Sequence, residues 1–358
     1  ISFGTVLHPA DISLKAPRPE NYLTEVSRYF NFYTLPITWK LSEPKQRGAF
    51  DFAFGDQVVE FAIAHNTKVK GHVLVLGGAS LPEWLLKDDY SPEELKDILK
   101  NHIQTIINHF KDKYPNTVTA WHVVNEPLCE GGMVLDSKKC LDHGIEKNIW
   151  TNIHKPGSTD PTDYIQLAFQ WAHEADPNAK LYINENNVET LYHPKTKRFY
   201  ELVKYLKQTG TPIHGIGLQA HIRLYDKERY SSKDLTSIMD RFADMGLETQ
   251  ITEFDVVLAS GNQRINSFTP TKQIPLIAPK NSDFLVQAEL YSMFMDACLK
   301  AKNCTGFTTW GPWDPSSWTN NHWKGSFYPH LLDDNLNPKL AFKYLVNCVK
   351  KYDEENSY

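Results

Sequence analysis

This 358-residue sequence lacks several features that would indicate a cofactor site or a membrane span. It has no Gly-x-Gly-x-x-Gly turn and no Walker loop, which argues against a nucleotide site. No apolar run approaches the roughly 18 uninterrupted residues of a membrane span. No Cys-x-x-Cys pair is present, and the 14 histidines form no set typical of a metal site. We therefore expect no cofactor, no metal and no membrane insertion.

An excess of basic residues is also missing. Lys and Arg together number 38 against 43 for Asp and Glu, which gives a net charge of −5. No basic cluster is dense enough to hold phosphates, so nucleic acid is excluded as an expected partner. With 41% apolar and 23% charged residues, the composition is that of an ordinary globular protein, which we expect to be monomeric.

Cysteine is scarce, with five residues in the chain. Cys298 and Cys304 lie six apart at the end of a helical pattern, and Cys129 and Cys140 flank a glycine-containing loop. We interpret these as two local disulfides, with Cys348 as a free, buried thiol. Such pairing predicts an oxidising compartment.

The beginning of the chain points in the same direction. The sequence starts at Ile1, without Met or a charged-then-apolar leader. This start is consistent with a mature product after signal removal. We therefore expect a secreted, extracellular protein.

Eight short apolar runs, rich in β-branched residues, alternate with amphipathic helical patterns along the chain. The predicted strands are Gly4 to Leu7, Phe30 to Leu35, Val69 to Leu76, Ala120 to Asn125, Lys180 to Ile183, Gly215 to Ala220, Glu248 to Thr252, and Gly306 to Trp310. Eight strands with intervening helices predict an α/β protein with a (β/α)8 TIM barrel. No linker or repeat interrupts the series, so residues 1–358 are interpreted as one domain. The main rival is a doubly wound open sheet, which the missing glycine-rich turn disfavours.

The clearest helix prediction follows the third strand. Ser91-Pro-Glu-Glu94 is typical of a capping box with proline at the first helical position, and apolar residues then recur at helical spacing as far as Phe110. Similar patterns predict five further helices. They cover Phe52 to Ala64, Asp163 to Ala175, Arg198 to Lys207, Leu235 to Met245, and Phe284 to Ala301.

Two glutamates carry the functional prediction. Glu126 and Glu253 each follow an apolar run, at the end of the fourth and the seventh predicted strand. In such barrels catalytic residues gather at the carboxyl ends of the strands. Hydrolysis of a glycosidic bond needs one carboxylic acid and one carboxylate, and two glutamates in unlike surroundings can divide these tasks. A strand-end glutamate alone is weak evidence, but Asn125 precedes one and Asp255 lies on the strand face of the other.

Four motifs strengthen this prediction by their order. They are Trp121-His-Val-Val-Asn-Glu-Pro127, Gly215-Ile-Gly-Leu-Gln-Ala-His221, Gln250-Ile-Thr-Glu-Phe-Asp-Val256, and Trp310-Gly-Pro-Trp-Asp-Pro-Ser-Ser-Trp318. In this order they resemble glycoside hydrolase family 10, whose best-known members are retaining endo-β-1,4-xylanases. The resemblance spans nearly the whole chain, and Cys298 and Cys304 fall where the fungal branch carries a disulfide.

The resemblance implies a role for each residue around the two acids. Glu126 would be the acid/base and Glu253 the nucleophile, with their carboxyl groups roughly 5 to 5.5 Å apart. Asn125 would hydrogen-bond the sugar 2-hydroxyl, and His221 with Asp255 would orient Glu253. The structural alternative for His221 is a core histidine bound to a backbone carbonyl.

The resemblance also implies a set of substrate-binding residues. Gln219 would line the cleft wall, Trp310 and Trp318 would offer aromatic faces to the sugar, and His72 and Asn184 would complete the cleft floor. Two of these have structural alternatives. Trp310 is also suited to packing a barrel end, and His72 to a structural use at a strand.

The sequence departs from the family on the side of the cleft that holds the non-reducing sugar. The polar residues that the family places at the end of the second strand and just before Trp39 are replaced by Thr34, Leu35 and Thr38. After the third strand, the family's Trp-His-Ser-Gln is replaced by Leu76-Gly-Gly-Ala79, and His122 replaces an aspartate. We therefore expect a glycone pocket that is wider and less polar than that of a xylanase.

Three functions follow from these observations. The first is a retaining endo-β-1,4-xylanase acting on plant xylan. The second is the same chemistry on another β-glycoside, such as a β-galactoside, a β-glucoside or a saponin, because the usual glycone contacts are replaced. The third is a carbohydrate-binding barrel without turnover, which has no physical need for the two-carboxylate arrangement.

Overall fold

The protein forms a closed barrel of parallel strands surrounded by helices. The computed structural model describes residues 1–12, 18–87, 89–129, 148–258, 278–323 and 326–357. The strands are β1 Ser2–Val6, β2 Phe32–Pro36, β3 Lys68–Val75, β4 Val118–Asn125, β5 Lys180–Glu185, β6 Gly215–Leu218, β7 His221–Arg223, β8 Glu248–Val257 and β9 Cys304–Thr309. The predicted (β/α)8 barrel is therefore confirmed.

The helices cover the outside of the barrel and shape its loops. The α-helices are α1 Pro9–Ile12, α2 Tyr22–Tyr29, α3 Trp39–Ser42, α4 Ala53–Ala64, α5 Glu83–Lys87, α6 Pro92–Lys113, α7 Asp163–Ala175, α8 Pro194–Gln208, α9 Ser232–Ala243, α10 Asn281–Lys300, α11 Trp318–Trp323 and α12 Leu340–Glu355. Short 3₁₀ helices cover Gly78–Ser80, Ile149–Asn152, Leu224–Arg229 and Asp314–Ser316. No helix in the described ranges is long and apolar enough to cross a membrane.

The barrel closes between its first and last strands. Each strand from β1 to β6 pairs in parallel with its neighbour, β6 pairs with β8, β8 with β9, and β9 with β1. The sixth strand of the barrel consists of two segments, β6 and β7. β6 pairs with the first part of β8, and β7 pairs with its carboxyl-terminal part. All carboxyl ends of the strands therefore open at one end of the barrel.

The seventh predicted strand was wrong at its carboxyl end. Glu253 does not end the strand, because β8 continues to Val257. His221 of β7 pairs with Asp255 of β8, and this added pairing extends the strand beyond the barrel wall. Glu253 therefore lies within the strand, where the pairing between β8 and β9 shifts register, rather than in a loop.

Two local sequence signals are confirmed by the structure. The Ser91 side chain accepts from the Glu94 N–H and the Glu94 carboxylate accepts from the Ser91 N–H, which completes the capping box of α6. Cys298 near the end of α10 is bonded to Cys304 at the start of β9. Cys348 is free, as expected, but half-buried rather than buried.

Candidate active site

Glu126 lies at the carboxyl end of β4 in a strained backbone conformation. Its φ of 52° is in the left-handed region, which residues with a side chain adopt rarely. Its N–H donates to the carbonyl of Asn184 at 3.0 Å, and Pro127 follows directly. Strain of this kind persists only where the surroundings hold it, and it concentrates at functional sites. The side chain is half-buried.

Glu253 is more deeply enclosed than Glu126. Its side chain is buried, and its Oε1 accepts from Asn184 Nδ2 at 2.6 Å. Its Oε2 lies 3.2 Å from Nε2 of His221, and Oε1 lies 3.8 Å from Nδ1 of His72. Burial acts to raise the pKa of Glu253, but His72, His221 and Asn184 together hold it below its usual value. Glu253 is therefore an ionised carboxylate at neutral pH.

A continuous series of side-chain hydrogen bonds joins the two glutamates. Asn184 Nδ2 donates to Glu253 Oε1 and to Asn125 Oδ1, at 2.6 and 2.7 Å. Gln219 Nε2 donates to the same Asn125 oxygen at 3.1 Å and to Glu126 Oε1 at 2.8 Å. Because an amide nitrogen carries two hydrogens, each amide can serve both of its acceptors. The amides therefore fix one carboxylate relative to the other.

Two features of neighbouring strands hold Asn184 in this position. Its Oδ1 accepts from the hydroxyl of Thr252 at 2.7 Å, which determines the orientation of the amide. A Cβ atom added to Gly217 of β6 would lie 2.1 Å from the same Oδ1. The absence of a side chain at Gly217 therefore makes room for Asn184.

His221 lies between two carboxylates. Its Nδ1 is 3.0 Å from Asp255 Oδ2, and its Nε2 is 3.2 Å from Glu253 Oε2. Burial alone would lower the pKa of His221, but Asp255 and Glu253 raise it well above its usual value. Trp318 Nε1 donates to the same Asp255 oxygen at 2.8 Å. The charged imidazolium can donate to both carboxylates, so His221 is not a core histidine bound to a carbonyl.

A second histidine approaches Glu253 from β3. His72 Nδ1 lies 2.8 Å from Nδ1 of His122, so one ring must donate to the other. Burial lowers the pKa of His72 and lowers that of His122 well below its usual value. Lys70, two residues before His72, donates from Nζ to Gln250 Oε1 at 2.7 Å, and burial lowers its pKa to about 7. A layer of ionisable groups therefore fills the barrel next to Glu253.

Aromatic rings border the histidines. The ring of Trp310 meets His72 edge to face at 4.9 Å between centroids, and it lies 6.2 Å from the ring of His221. Trp318 packs edge to face on His221 at 5.3 Å. Both indoles are half-buried, which leaves part of each ring accessible. Trp313, by contrast, is buried.

The structure brings all the predicted site residues into one connected network. Its members are Glu126, Glu253, Asn125, His221, Asp255, His72, Asn184, Gln219, Trp310 and Trp318. The prediction gave no role to Lys70 and none to Thr252, and it left His122 without an account. Strand alternation was the available signal, because Lys70 and His72 are two residues apart and share one face of β3.

Some of the residues at the family departures are buried and others are half-buried. Thr34 and Leu35 are fully buried. A Cβ atom added to Gly77 would lie 3.2 Å from the side chain of Asn148, which belongs to the segment after β4. Asn148 therefore takes up space on this side of Gly77, and the width of the glycone pocket stays a prediction.

Two further predictions concern metals and the second disulfide. Within the described ranges, no group of three or more His, Cys, Asp or Glu side chains could hold a metal ion. Cys140 lies outside the described residues, so its pairing with Cys129 stays a prediction. Most of the loop from Cys129 to Lys155 also lies outside the described residues.

A (β/α)8 barrel with two connected glutamates on the side where the carboxyl ends of its strands open has the arrangement of an enzyme active site. The family model for glycosyl hydrolase family 10 matches residues 1–348. A β-1,4-xylanase of Dictyoglomus thermophilum is 34% identical over 332 residues, which is 91% of this chain and 84% of that enzyme. The chain therefore belongs to glycosyl hydrolase family 10.

Other proteins support the same assignment. The crystal structure of xylanase 10B from Thermotoga petrophila in complex with xylobiose has a TM-score of 0.80 and 29% identity, covering 98% of this chain and 94% of that one. Exoglucanase XynX of Acetivibrio thermocellus is 34% identical over 312 residues, or 85% of this chain. The chain spans 25% of that protein's length, and 23% of the length of a further relative that is 35% identical.

Proposed function

We propose that this protein is a retaining β-1,4-xylanase that cleaves plant xylan by a double displacement. Glu253 acts as the nucleophile and Glu126 as the acid/base. The observation that carries the proposal is the amide series from Glu253 through Asn184, Asn125 and Gln219 to Glu126. It fixes two carboxylates with different surroundings at one end of the barrel.

The surroundings of Glu253 suit a nucleophile. A carboxylate that attacks the anomeric carbon must be ionised and held still. Asn184 and His221 bind one oxygen each, and the pKa of Glu253 is lowered despite its burial. Asp255 holds the ring of His221 from the far side, so the nucleophile's orientation depends on both residues.

The surroundings of Glu126 suit proton transfer. The side chain is half-buried, and Gln219 binds only Oε1 within the described residues. The second oxygen can therefore meet a leaving group or a water. Asn125 precedes Glu126 and uses its carbonyl oxygen for both amide contacts, which leaves its NH₂ group for a sugar hydroxyl.

The choice of xylan rests on the relatives, and a second substrate class deserves a test. The relatives include a β-1,4-xylanase and an exoglucanase at the same identity of 34%. Thr34, Leu35 and Gly77 replace polar glycone contacts. A β-glucoside or a related β-glycoside is therefore the second candidate. A pocket that lacks partners for the sugar hydroxyls distinguishes less between one sugar and another.

We also propose that the protein acts outside the cell as a monomer on plant-derived polysaccharide. A disulfide such as Cys298–Cys304 is typical of oxidising compartments. Polymeric xylan is itself found outside cells. Both features favour a secreted enzyme.

The proposed catalytic roles can be separated by substitution. We expect Glu253→Ala to lose hydrolysis of xylan and of aryl β-xylobiosides by at least about 10⁴-fold, since the nucleophile is removed. Glu126→Ala should lose xylan hydrolysis but respond to azide with an activated aryl glycoside, because azide replaces the water that Glu126 would activate. Initial rates with and without azide measure both effects.

Glu248→Ala provides the matched control, because Glu248 begins the same strand at the opposite end of the barrel. It should leave turnover within a few-fold of the wild type. Full turnover by Glu253→Ala would refute the proposed mechanism. Binding of xylan by an unaltered protein that hydrolyses none of the substrates would favour a carbohydrate-binding barrel.

The substrate is tested with the wild-type enzyme on xylan, aryl β-xylosides, aryl β-glucosides, aryl β-galactosides and a saponin. We expect xylan and xylosides to be cleaved with the highest kcat/KM. A higher kcat/KM for glucosides or galactosides would instead support the second candidate.

A further inference from the structure

The end of β5 carries a buried ion pair that the proposed reaction does not use. Glu185 and Lys195 are fully buried, and Lys195 Nζ lies 2.9 Å from Glu185 Oε1. Lys195 belongs to the first turn of α8, where the helix dipole disfavours a cation. Charges that are removed from water need good partners to offset the loss of hydration. The position of this pair therefore calls for an explanation beyond helix stability.

The carboxylate of Glu185 holds the backbone next to Glu126. The N–H of Leu128, two residues beyond Glu126, donates to Glu185 Oε2 at 3.1 Å. The N–H of Glu126 itself donates to the carbonyl of Asn184 at 3.0 Å. Two consecutive residues of β5 thus bind the segment on both sides of the Glu126 side chain. This is the kind of support that a residue with positive φ requires.

Lys195 in turn fixes Glu185. Besides its contact with Glu185, its Nζ donates to Asn186 Oδ1 at 2.6 Å, and the N–H of Asn186 donates to Glu185 Oε1 at 2.9 Å. Lys195, Glu185 and Asn186 therefore each contact the other two.

Charge links the pair to Glu126 as well. Burial raises the pKa of Glu185 to about 7; Lys195 opposes this rise and Glu126 adds to it. The carboxylate of Glu185 and the ammonium group of Lys195 therefore place two opposite charges behind the Glu126 segment.

Other ionisable groups face the same region. They are Glu189, whose carboxylate accepts from the N–H of Ala220, Tyr164 on α7, and His72 across the barrel, which interacts with Glu126. None of them contacts Glu126 directly. Glu185, by contrast, binds the backbone of the Glu126 segment through the N–H of Leu128.

We propose that Glu185 and Lys195 are positioning residues for the proton donor: the pair holds the Glu126 segment in its strained conformation and sets the charge behind it. The proposal rests on the role of Glu126 in the proposed function. It predicts that damage to the pair impairs proton donation rather than nucleophilic attack.

The test compares two aryl β-xylobiosides for Glu185→Gln and the wild type. A phenyl leaving group needs protonation, whereas a dinitrophenyl group leaves without it. We expect kcat/KM on the phenyl substrate to fall roughly 10²-fold, the loss expected when a catalytic group is misplaced, and kcat/KM on the dinitrophenyl substrate to stay within a few-fold. The ratio of the two rates is independent of the fraction of folded enzyme.

The pH profile adds a signature that a structural role would not produce. Glu185→Gln removes one of the groups that offset the cation of Lys195, so the basic limb of kcat/KM should move to lower pH. Lys195→Met removes that cation together with the charge that keeps Glu185 ionised, so it should leave the limb near its wild-type position. Glu43→Gln, at a buried glutamate that binds His102 and the N–H of Gly48, should change neither the rate ratio nor the limb.

An equal loss on both substrates with an unmoved basic limb would overturn the proposed positioning role. Shifts in the same direction for Glu185→Gln and Lys195→Met would overturn the part played by charge. Inactivity of the wild type on both xylobiosides would instead refute the proposed function.

Discussion

Glu126 and Glu253 differ chiefly in how many groups bind them. Glu253 has hydrogen bonds or close contacts with Asn184, His221 and His72, whereas Glu126 accepts one side-chain hydrogen bond, from Gln219, among the described residues. An ionised nucleophile needs the first environment and a proton donor the second. The two glutamates have the same chemistry, so their neighbours assign the roles that we propose.

Asp255 should control the pH range of activity through His221. Replacing it with Asn removes the anion that raises the pKa of His221, so the imidazolium loses its proton at a lower pH. Where the imidazolium has lost its proton, Glu253 no longer has that cation beside it. The basic limb of kcat/KM for Asp255→Asn, where activity falls with rising pH, should therefore move down by roughly one pH unit, measured on an aryl glycoside.

A surface pair supplies the control for this experiment. His109 and Asp56 form a similar contact, 2.7 Å between Nε2 and Oδ1, on the outside of the barrel. Asp56→Asn should leave the basic limb unchanged. An unmoved or raised basic limb for Asp255→Asn would contradict the role assigned to His221.

The bounds of most helices and strands can be predicted from the local sequence, and the bounds that cannot have physical causes. The helix Asp163–Ala175 agrees with its predicted bounds, because apolar periodicity and Asp163 at the first turn mark it locally. The end of β8 does not follow from local sequence. Asp255 to Val257 continue the strand because β7 pairs with these three residues, and a pairing partner from another part of the chain leaves no mark in the strand itself.

Gly217 should be required for the site although it carries no chemistry. In Gly217→Ala the new Cβ would meet Asn184 Oδ1 at 2.1 Å and Thr252 Cγ2 at 2.7 Å, so Asn184 must move away from Glu253. We expect kcat/KM on an aryl β-xylobioside to fall roughly 10²-fold, as misplacement of a positioning group predicts.

A double-substitution cycle tests the physical reason. If Asn184 transmits the effect, adding Gly217→Ala to Asn184→Ala should cost little further activity. Independent losses that multiply in the double variant would show that Gly217 acts through general destabilisation instead.

At the scale of the whole molecule, closure of the barrel creates the site. The four residues are far apart in sequence but adjacent around the ring: Glu126 follows β4, Asn184 lies on β5, Gln219 follows β6 and Glu253 lies on β8. The sequence motifs identify these residues individually and in order. The hydrogen bonds between them, and the support of the Glu126 segment by Glu185, depend on the register between strands and were not predictable from the chain.

The stereochemistry of the first product tests the two-glutamate double displacement most directly. Proton NMR of the anomeric signal, recorded within minutes of adding enzyme to an aryl β-xylobioside, distinguishes the two outcomes before mutarotation. Because a double displacement inverts the anomeric carbon twice, we predict that the β-anomer appears first and the α-anomer later. Initial appearance of the α-anomer would contradict the proposed mechanism, since it requires a single displacement by water.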